Sequence, residues 1–349
     1  EGDTLDLINS VSKFRIYDKA GTFVGARMGR PEKAKLRKLV GSPHILFPVG
    51  AEGGRLRSII EAVETGVVHS DFSTFFCSIC KKETIYSTCE FCGTQSKKMY
   101  FCSKCDRLYD GSCPEHDMAL TYRNKPVQIR EYFERAKQLA QVRIEELPVV
   151  VKGVKGTSNK DHTCENIAKG LLRAKYDLHV NKDGTIRYDM TEMPITHFKP
   201  KEVGTSVEKL RSMGYEKDIN GLKLQGEDQI LEMFPHDIIL PACPVTPDER
   251  ADDVFYNVSK FIDDELVKLY GLKPFFKLNS KTDLVGSLVA CMSPHTSATV
   301  VGRLIGFSKF QALLASPYIH GAMRRDCDGD EAAVMLLMDL LLNFSRTFL

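Results

Sequence analysis

Seven of the eleven cysteines lie between Cys77 and Cys113, and no other stretch constrains the fold of this chain as strongly. The first four form two Cys-x-x-Cys pairs separated by eight residues: Cys77, Cys80, Cys89 and Cys92. Each pair places two sulfurs on one tight turn, and two such turns can complete a tetrahedron of thiolates around zinc. The spacing therefore predicts a structural zinc site.

A second set of four ligands follows directly and is of the Cys₃His type: Cys102, Cys105, Cys113 and His116. Four protein ligands leave no open position for water, so both sites are predicted to be structural rather than catalytic. Cysteines in metal-binding pairs indicate a reducing compartment rather than a secreted disulfide protein. The remaining cysteines are predicted to be packed thiols: Cys164, Cys243, Cys291 and Cys327.

Near the end of the chain, acidic residues are concentrated in the segment Arg324-Arg325-Asp326-Cys327-Asp328-Gly329-Asp330-Glu331. In an extended backbone alternate side chains point the same way, so the three aspartates could converge on one point. Their mutual repulsion would be relieved by a divalent cation. A calcium-binding EF-hand is excluded, because its sixth position would be Glu331 instead of glycine and its twelfth Leu337 instead of glutamate.

Two interpretations of this acidic motif remain open. The aspartates could form a turn that caps a helix starting near Asp330, since carboxylates are favoured at a helix start. Alternatively, they could hold Mg²⁺ for phosphoryl transfer, with Arg324 and Arg325 facing phosphate oxygens.

A basic segment lies near the start of the chain, although the net charge of the whole chain is only +2. A helix is predicted to start at Pro31, where basic residues oppose the helix dipole. Polyanion binding explains the segment better than helix stability does, with a solvated lysine face as the alternative. The segment contains one acid, Glu32, and six basic residues: Arg27, Arg30, Lys33, Lys35, Arg37 and Lys38.

His295 lies among hydroxyl residues, next to Thr296 and close to Ser293 and Ser297. The Gly-x-Ser-x-Gly turn of a hydrolase is missing, so His295 is predicted to be structural or to contact phosphate.

The length of 349 residues allows two or three domains. No apolar run approaches the ~20 residues of a membrane helix. The chain starts with Glu-Gly-Asp, without an initiator Met or a signal peptide, and is expected to be part of a longer polypeptide. Apolar periodicity predicts helices over 127–147, 164–175, 205–213, 228–234, 252–270 and 332–348. Strands are predicted at 14–17, 22–24, 44–49, 149–154, 178–180, 185–188 and 237–241, with a hairpin turn at Asp183-Gly184.

Together these motifs resemble the large catalytic subunit of archaeal family D DNA polymerase over essentially the whole chain. The resemblance rests on Met28 to Lys35, both zinc ligand sets, Ser293 to Ala298, Arg324 to Glu331 and Leu341 to Arg346. It implies an α+β fold with two facing double-psi β-barrels, as in multisubunit RNA polymerases, with an inserted zinc-binding module and connecting helices. The implied segments are 1–70 (first part of barrel 1 with the basic loop), 71–120 (zinc module), 121–205 (helix and remainder of barrel 1), 206–280 (helical connector) and 281–349 (barrel 2, incomplete, with the acidic motif).

The resemblance also implies a DNA-templated DNA polymerase core that uses catalytic Mg²⁺ and two structural Zn²⁺ ions. Asp328 and Asp330 match the family's metal-binding aspartates, and Asp326, where many members have asparagine, is a third candidate. Lys35 and Lys38 match the two active-site lysines, with Lys33 close to the same register. The other basic residues and His295 would contact DNA or nucleotide.

The implied partners are primer-template DNA, deoxynucleoside triphosphates and a small exonuclease subunit, with a sliding clamp binding through regions outside this chain and no membrane. The implied location is the cytoplasm, at the nucleoid, and the chain alone is expected to be inactive. The alternatives are a two-barrel RNA polymerase and a zinc-stabilised nucleic-acid-binding module without catalysis.

Overall fold

The fold is mixed α+β, as predicted. The computed structural model describes residues 4–16, 34–245, 249–293, 298–325 and 329–345. The α-helices within these ranges are α1 (Thr4–Val11), α2 (Ile59–Thr65), α3 (Ile129–Ala140), α4 (Ile167–Lys175), α5 (Pro200–Val203), α6 (Val207–Ser212), α7 (Ala251–Lys268), α8 (Pro317–Ala322) and α9 (Leu337–Asn343). In this part of the chain, no helix has the length and apolar character needed to cross a membrane.

Six of the strands close into a barrel, in the order β9, β15, β12, β14, β13 and β16, with β16 pairing back to β9. The strands of the described residues are β1 (Ala34–Leu36), β2 (Val68–Ser73), β3 (Phe75–Cys77), β4 (Lys82–Thr84), β5 (Lys97–Lys98), β6 (Tyr100–Cys102), β7 (Arg107–Tyr109), β8 (Tyr122–Val127), β9 (Tyr188–Pro194), β10 (His197–Phe198), β11 (Leu231–Glu232), β12 (Asp237–Pro241), β13 (Leu288–Met292), β14 (Val300–Ser308), β15 (Leu313–Ala315) and β16 (Glu331–Leu336). Two facing double-psi barrels and the boundaries of the five segments stay predictions.

The barrel interior is filled by alternate residues, as expected for a small closed barrel. Every barrel strand contributes to the main hydrophobic core through one of its two faces. The contributing residues are Tyr188, Met190, Ile238, Leu240, Val289, Cys291, Leu304, Leu313, Ala315, Ala332, Val334 and Leu336. On the opposite face of β13 and β16, Ala290, Met292, Ala333 and Met335 form a smaller cluster against α9.

The cysteine-rich stretch is inserted between two strands that pair with each other. β2 and β8 run antiparallel over their whole length, from Val68 opposite Val127 to Ser73 opposite Tyr122. The intervening residues 74–121 therefore begin and end at one place. Ile85 within them still belongs to the main hydrophobic core, so the insertion is packed against the rest of the chain.

The largest wrong prediction concerns the helix over 332–348. Residues 331–336 form strand β16, and of the described residues up to 345 only 337–343 are helical. Both faces of β16 are buried, one in the barrel interior and one against α9, so every residue from Ala332 to Leu336 is apolar. A strand buried on both faces has no alternating pattern and cannot be distinguished from a buried helix by periodicity. The acidic motif consequently precedes a strand, and the helix-cap interpretation is wrong.

Other predicted elements differ for local reasons. Residues 228–234 contain strand β11, in which buried Leu231 and exposed Glu232 alternate, instead of a helix. The turn at Gly184 is present (φ 87°), yet its flanks do not form a ladder, because the N–H of Val180 donates to the carbonyl of Pro43. The helix predicted from Pro31 is wrong at residues 34–36, which form β1.

Strands were predicted at 14–17 and 22–24. The described residues of the first of these, 14–16, contain no strand. The remainder, with Tyr17, Thr22 and Val24, lies outside the described residues. The helices predicted around α3, α4, α6 and α7 are confirmed, as is strand 237–241. The N-cap of α6 is Ser206, whose hydroxyl accepts the N–H of Lys209.

A fully buried ion pair connects α4 to the loops around it. The Arg173 guanidinium donates to both carboxylate oxygens of Glu165, over 2.7 and 2.6 Å, and to the carbonyl of Gly184 over 3.0 Å. Glu165 also accepts the backbone N–H of Leu46 over 3.2 Å. One side-chain pair thus holds together the start of α4, the segment around Leu46 and the turn at Gly184.

Arg173→Met is expected to lower the free energy of unfolding by about 3 to 5 kcal/mol, since it leaves the Glu165 carboxylate buried without its charge partner. Adding Glu165→Met to this variant should restore much of the loss. Urea unfolding of the single and double variants measures both effects. Equal losses in the two variants would show that the pair acts only through packing volume.

Candidate metal centres and active site

The first four cysteines are brought together as the spacing predicted. The Sγ atoms of Cys77 and Cys92 are 3.4 Å apart, and those of Cys80 and Cys89 are 3.9 Å apart. Tetrahedral zinc with Zn–S bonds of about 2.3 Å places its sulfurs roughly 3.8 Å apart. The donor set and its dimensions therefore fit zinc.

The second set is also assembled. Nδ1 of His116 lies 3.8, 3.1 and 3.7 Å from the sulfurs of Cys102, Cys105 and Cys113, respectively. The sulfurs of Cys105 and Cys113 are 3.5 Å apart. A single imidazole nitrogen facing three sulfurs at these distances again suits a four-coordinate zinc ion.

The eight candidate ligands are carried by four turns of the same construction. In every turn the residue four positions after the first ligand has a positive φ: Lys81 (53°), Gly93 (73°), Asp106 (54°) and Asp117 (48°). In the last three of these turns, its N–H donates to the carbonyl of the first ligand over 2.8 to 2.9 Å. The left-handed residue reverses the chain, so that both ligands of a turn face the same side.

The crowded thiols shift one another's pKa. The N–H of Cys80 donates to the sulfur of Cys77 and, with hydrogen bonds from Thr94 and other cysteines, lowers the pKa of Cys77 to about 6. Hydrogen bonding to Cys92, together with burial, raises the pKa of Cys80 to about 12. Burial opposes ionisation of Cys113, but hydrogen bonds led by that from His116 outweigh it and lower its pKa to about 6. Each cluster thus stabilises a thiolate, the form that binds a metal ion.

A third group of potential ligands, His44, Asp177 and His179, also lies within metal-binding reach. Nδ1 of His44 accepts the backbone N–H of Lys152 over 2.9 Å, so the proton of the neutral ring is on Nε2. Burial, followed by the charges of His179, Lys152 and Arg173, lowers the pKa of His44 to about 3. Neighbouring cations also oppose a bound metal ion, so we assign no metal site here.

The structure describes residues 324, 325 and 329–331 of the acidic motif. Asp326, Cys327 and Asp328 lie outside the described residues. Gly329 has a φ of 108°, and Glu331 begins β16. The side chain of Asp330 is 36% exposed, and its carboxylate accepts a hydrogen bond from Nη1 of Arg325 over 3.1 Å. Asp330 therefore offers hard oxygen atoms at an accessible position, which suits Mg²⁺.

The structure describes the basic segment from residue 34 onward. Arg27, Arg30 and Lys33 lie outside the described residues. His295 also lies outside them. Lys35 is the exposed central residue of β1. Nε of Arg37 is 3.6 Å from the Asp189 carboxylate, and Nζ of Lys38 is 2.7 Å from that of Glu249.

The basic and acidic segments flank the same strand, β9. Asp189 lies opposite Lys35 on one side and opposite Ala333 of β16 on the other. Adjacent strands are about 4.8 Å apart, so β1 and β16 are separated by roughly 10 Å. The alternation places Lys35 and Asp330 on opposite faces of the sheet. Among the described residues the ion-pair partner of Asp330 is Arg325, not a lysine.

Comparison with known protein families identifies the larger part of the chain. Residues 144–349 match the family model for the catalytic domain of the DNA polymerase II large subunit DP2, and residues 1–110 match the model for its central domain. The chain belongs to the DNA polymerase II large subunit family.

Curated members of the DNA polymerase II large subunit family align over 99% of the chain. The identity is 44% to the large subunit of Nanoarchaeum equitans, 44% to that of Archaeoglobus fulgidus and 41% to that of Pyrococcus furiosus. The chain spans only 31%, 30% and 27% of the lengths of these relatives. The closed barrel and the acidic motif both fall within the segment that matches the catalytic domain.

Two residues beside the acidic motif were not predicted from the sequence. The carboxylate of Glu192, on β9, lies 2.8 Å from Nδ1 of His320, on α8, and both side chains are fully buried. Glu192 follows Thr191, which pairs with Glu331 of β16. No local pattern marks either residue, because the contact joins positions 128 apart in the chain.

Proposed function

We propose that this chain carries the catalytic core of a DNA-templated DNA polymerase that adds deoxynucleotides to a primer 3′-hydroxyl. The observation that carries the proposal is the match of residues 144–349 to the family's catalytic domain. Those residues include the closed barrel and the acidic motif that begins β16.

In this proposal Asp328 and Asp330 hold Mg²⁺, with Asp326 as a third candidate ligand. When bound, Mg²⁺ supplies charge neutralisation at the triphosphate and lowers the pKa of the attacking hydroxyl. Arg325 holds the Asp330 carboxylate, and Arg324 and Arg325 face phosphate oxygens. His295, Arg27, Arg30, Lys33 and Arg37 contact DNA or nucleotide.

Lys35 and Lys38 are proposed to neutralise negative charge on the primer end or the triphosphate. The basic segment and the acidic motif already flank the same strand, β9, and the double-psi architecture of family D would place a second barrel opposite this sheet. The two zinc ions order the insertion 74–121 along the duplex, where contacts to phosphate carry no sequence preference. The proposed partners are primer-template DNA, deoxynucleoside triphosphates, a small exonuclease subunit and a sliding clamp, which places the protein at the nucleoid.

Primer extension tests the proposed function and its alternatives. A full-length subunit that carries this chain, assembled with its partner subunit, is given primer-template DNA and either deoxy- or ribonucleoside triphosphates. Template-dependent extension with deoxynucleotides is expected. Preferential use of ribonucleotides would favour a two-barrel RNA polymerase, and DNA binding without extension would favour a nucleic-acid-binding module.

The combined variant Lys35→Ala/Lys38→Ala is expected to lower kcat by about 10²- to 10³-fold, the usual effect of removing fixed charges that stabilise a transition state. Stability should change little, because Lys35 is exposed and the ion pair of Lys38 with Glu249 is at the surface. Steady-state primer extension measures the loss, with Lys273→Ala at an exposed lysine as the control. An unchanged kcat would show that these lysines do not belong to the active site, but it would not contradict polymerase activity.

A further inference from the structure

Hydrogen bonds of the backbone hold both ends of the acidic motif. On one side, the N–H of Arg325 donates to the carbonyl of His320 over 3.1 Å. On the other side, the N–H of Glu192 donates to the carbonyl of Asp330 over 2.9 Å. Arg325 is therefore held to α8, and Asp330 is held to β9.

The two residues that provide these points are joined by their side chains. Nδ1 of His320 lies 2.8 Å from a carboxylate oxygen of Glu192, and both side chains are fully buried. With the bond from Arg325 to the Asp330 carboxylate, over 3.1 Å, four hydrogen bonds link His320, Glu192, Asp330 and Arg325 in a closed ring. Inside the protein such bonds are stronger than in water, because the local dielectric is low.

Stability alone does not account well for this pair. Burying a carboxylate is costly unless all of its hydrogen-bonding capacity is used. Within the described part of the chain, Oε1 of Glu192 and Nε2 of His320 are buried without a hydrogen-bond partner. Two apolar side chains of similar volume would fill the same space without these unsatisfied atoms.

We propose that Glu192 and His320 are a positioning pair that sets the distance between the two ends of the acidic motif. The pair touches neither substrate nor metal ion. It acts by fixing where Arg325 and Asp330 lie relative to each other, and so where the Asp330 carboxylate lies. The inference rests on the proposed function, because the Asp330 carboxylate must bind the catalytic metal ion for its position to matter.

His320→Leu and His320→Asn form a matched test. The two new side chains have nearly the same size and shape, but only asparagine keeps an N–H donor close to the position of Nδ1. In the full-length subunit with its partner subunit, His320→Leu is expected to lower kcat by about 10- to 100-fold, the range found for residues that orient metal ligands. The KM for the nucleotide should change much less, and His320→Asn should recover most of the rate.

Binding of Mn²⁺ without DNA or nucleotide supplies a second readout. The electron paramagnetic resonance signal of free Mn²⁺ should show that His320→Leu weakens binding by about 10-fold or more and His320→Asn by much less. Arg303→Met is the control for lost stability, because it breaks the ion pair between the partly buried Arg303 and the buried Asp237 in the same barrel. It should leave Mn²⁺ binding and the kcat of the folded protein unchanged.

The outcomes separate this inference from the proposed function. If Asp330→Asn keeps wild-type extension, the proposed active site is wrong. If Asp330→Asn is inactive while His320→Leu has wild-type kcat and Mn²⁺ binding, only the positioning pair is wrong. If His320→Leu does not fold, Glu192→Gln replaces it, because it keeps the shape but weakens the hydrogen bond to a neutral one. Wild-type values of both readouts in Glu192→Gln would then overturn the inference.

Discussion

Replacing Asp330 with asparagine is expected to lower the rate of nucleotide incorporation by about 10³-fold. Asparagine has the same shape and can still accept the hydrogen bond from Arg325, so the change removes mainly one negative charge. A metal-ion contribution of several kcal/mol to the transition state corresponds to a loss of this size. The free energy of unfolding should change little, because the Asp330 side chain is partly exposed and its pair with Arg325 is not fully buried.

Single-turnover primer extension at saturating nucleotide measures this loss without a contribution from product release. Asp218→Asn is a suitable control, because Asp218 accepts the N–H groups of Asn220 and Leu222 in a turn that asparagine can also form. Increasing Mg²⁺ should recover part of the activity of Asp330→Asn if a weakened metal site is the cause. A wild-type rate at low Mg²⁺ would exclude Asp330 as a metal ligand.

The sequence predicted which cysteine and histidine side chains lie together where the signal is local. Cys77 and Cys80 are on one turn, and the same separation of three positions recurs at Cys113 and His116. The two clusters of four side chains could therefore be predicted from spacing alone, and their role as zinc ligands stays a prediction. The left-handed conformation in these turns could not be predicted as well from the sequence. Of the four residues with a positive φ, only Gly93 is a glycine, the residue that adopts a positive φ freely.

Strand β16 and its surroundings could not be predicted, because they leave no local signal in the sequence. Burial on both faces removed the alternation from Ala332 to Leu336, so the segment had the composition of a buried helix. The position of Asp330 beside Glu192 follows from the pairing of β16 with β9, which joins residues far apart in sequence. Long-range pairing of this kind leaves no periodic signal in either segment.

Removal of a proposed zinc ligand is expected to unfold part of the insertion between β2 and β8, and this is the second large effect. Structural zinc contributes about 10 kcal/mol or more to the folding of small domains. The insertion 74–121 has only short two- and three-stranded sheets of its own, β3–β5 and β6–β7. Cys89→Ser is therefore expected to release one zinc ion and unfold the first cluster, while the barrel keeps its structure because β2 and β8 still close the core.

Elemental analysis should find two zinc ions per wild-type chain, one for each ligand cluster, and one in Cys89→Ser. Hydrogen exchange should show lost protection within 74–121 and unchanged protection in the barrel strands. Cys164→Ala is the matched control, because Cys164 is a buried thiol outside both clusters whose pKa is raised by burial. Native protein without zinc, with every thiol of the two clusters open to titration, would contradict the assignment. Loss of barrel protection in Cys89→Ser would instead show that the insertion and the barrel unfold as one cooperative unit.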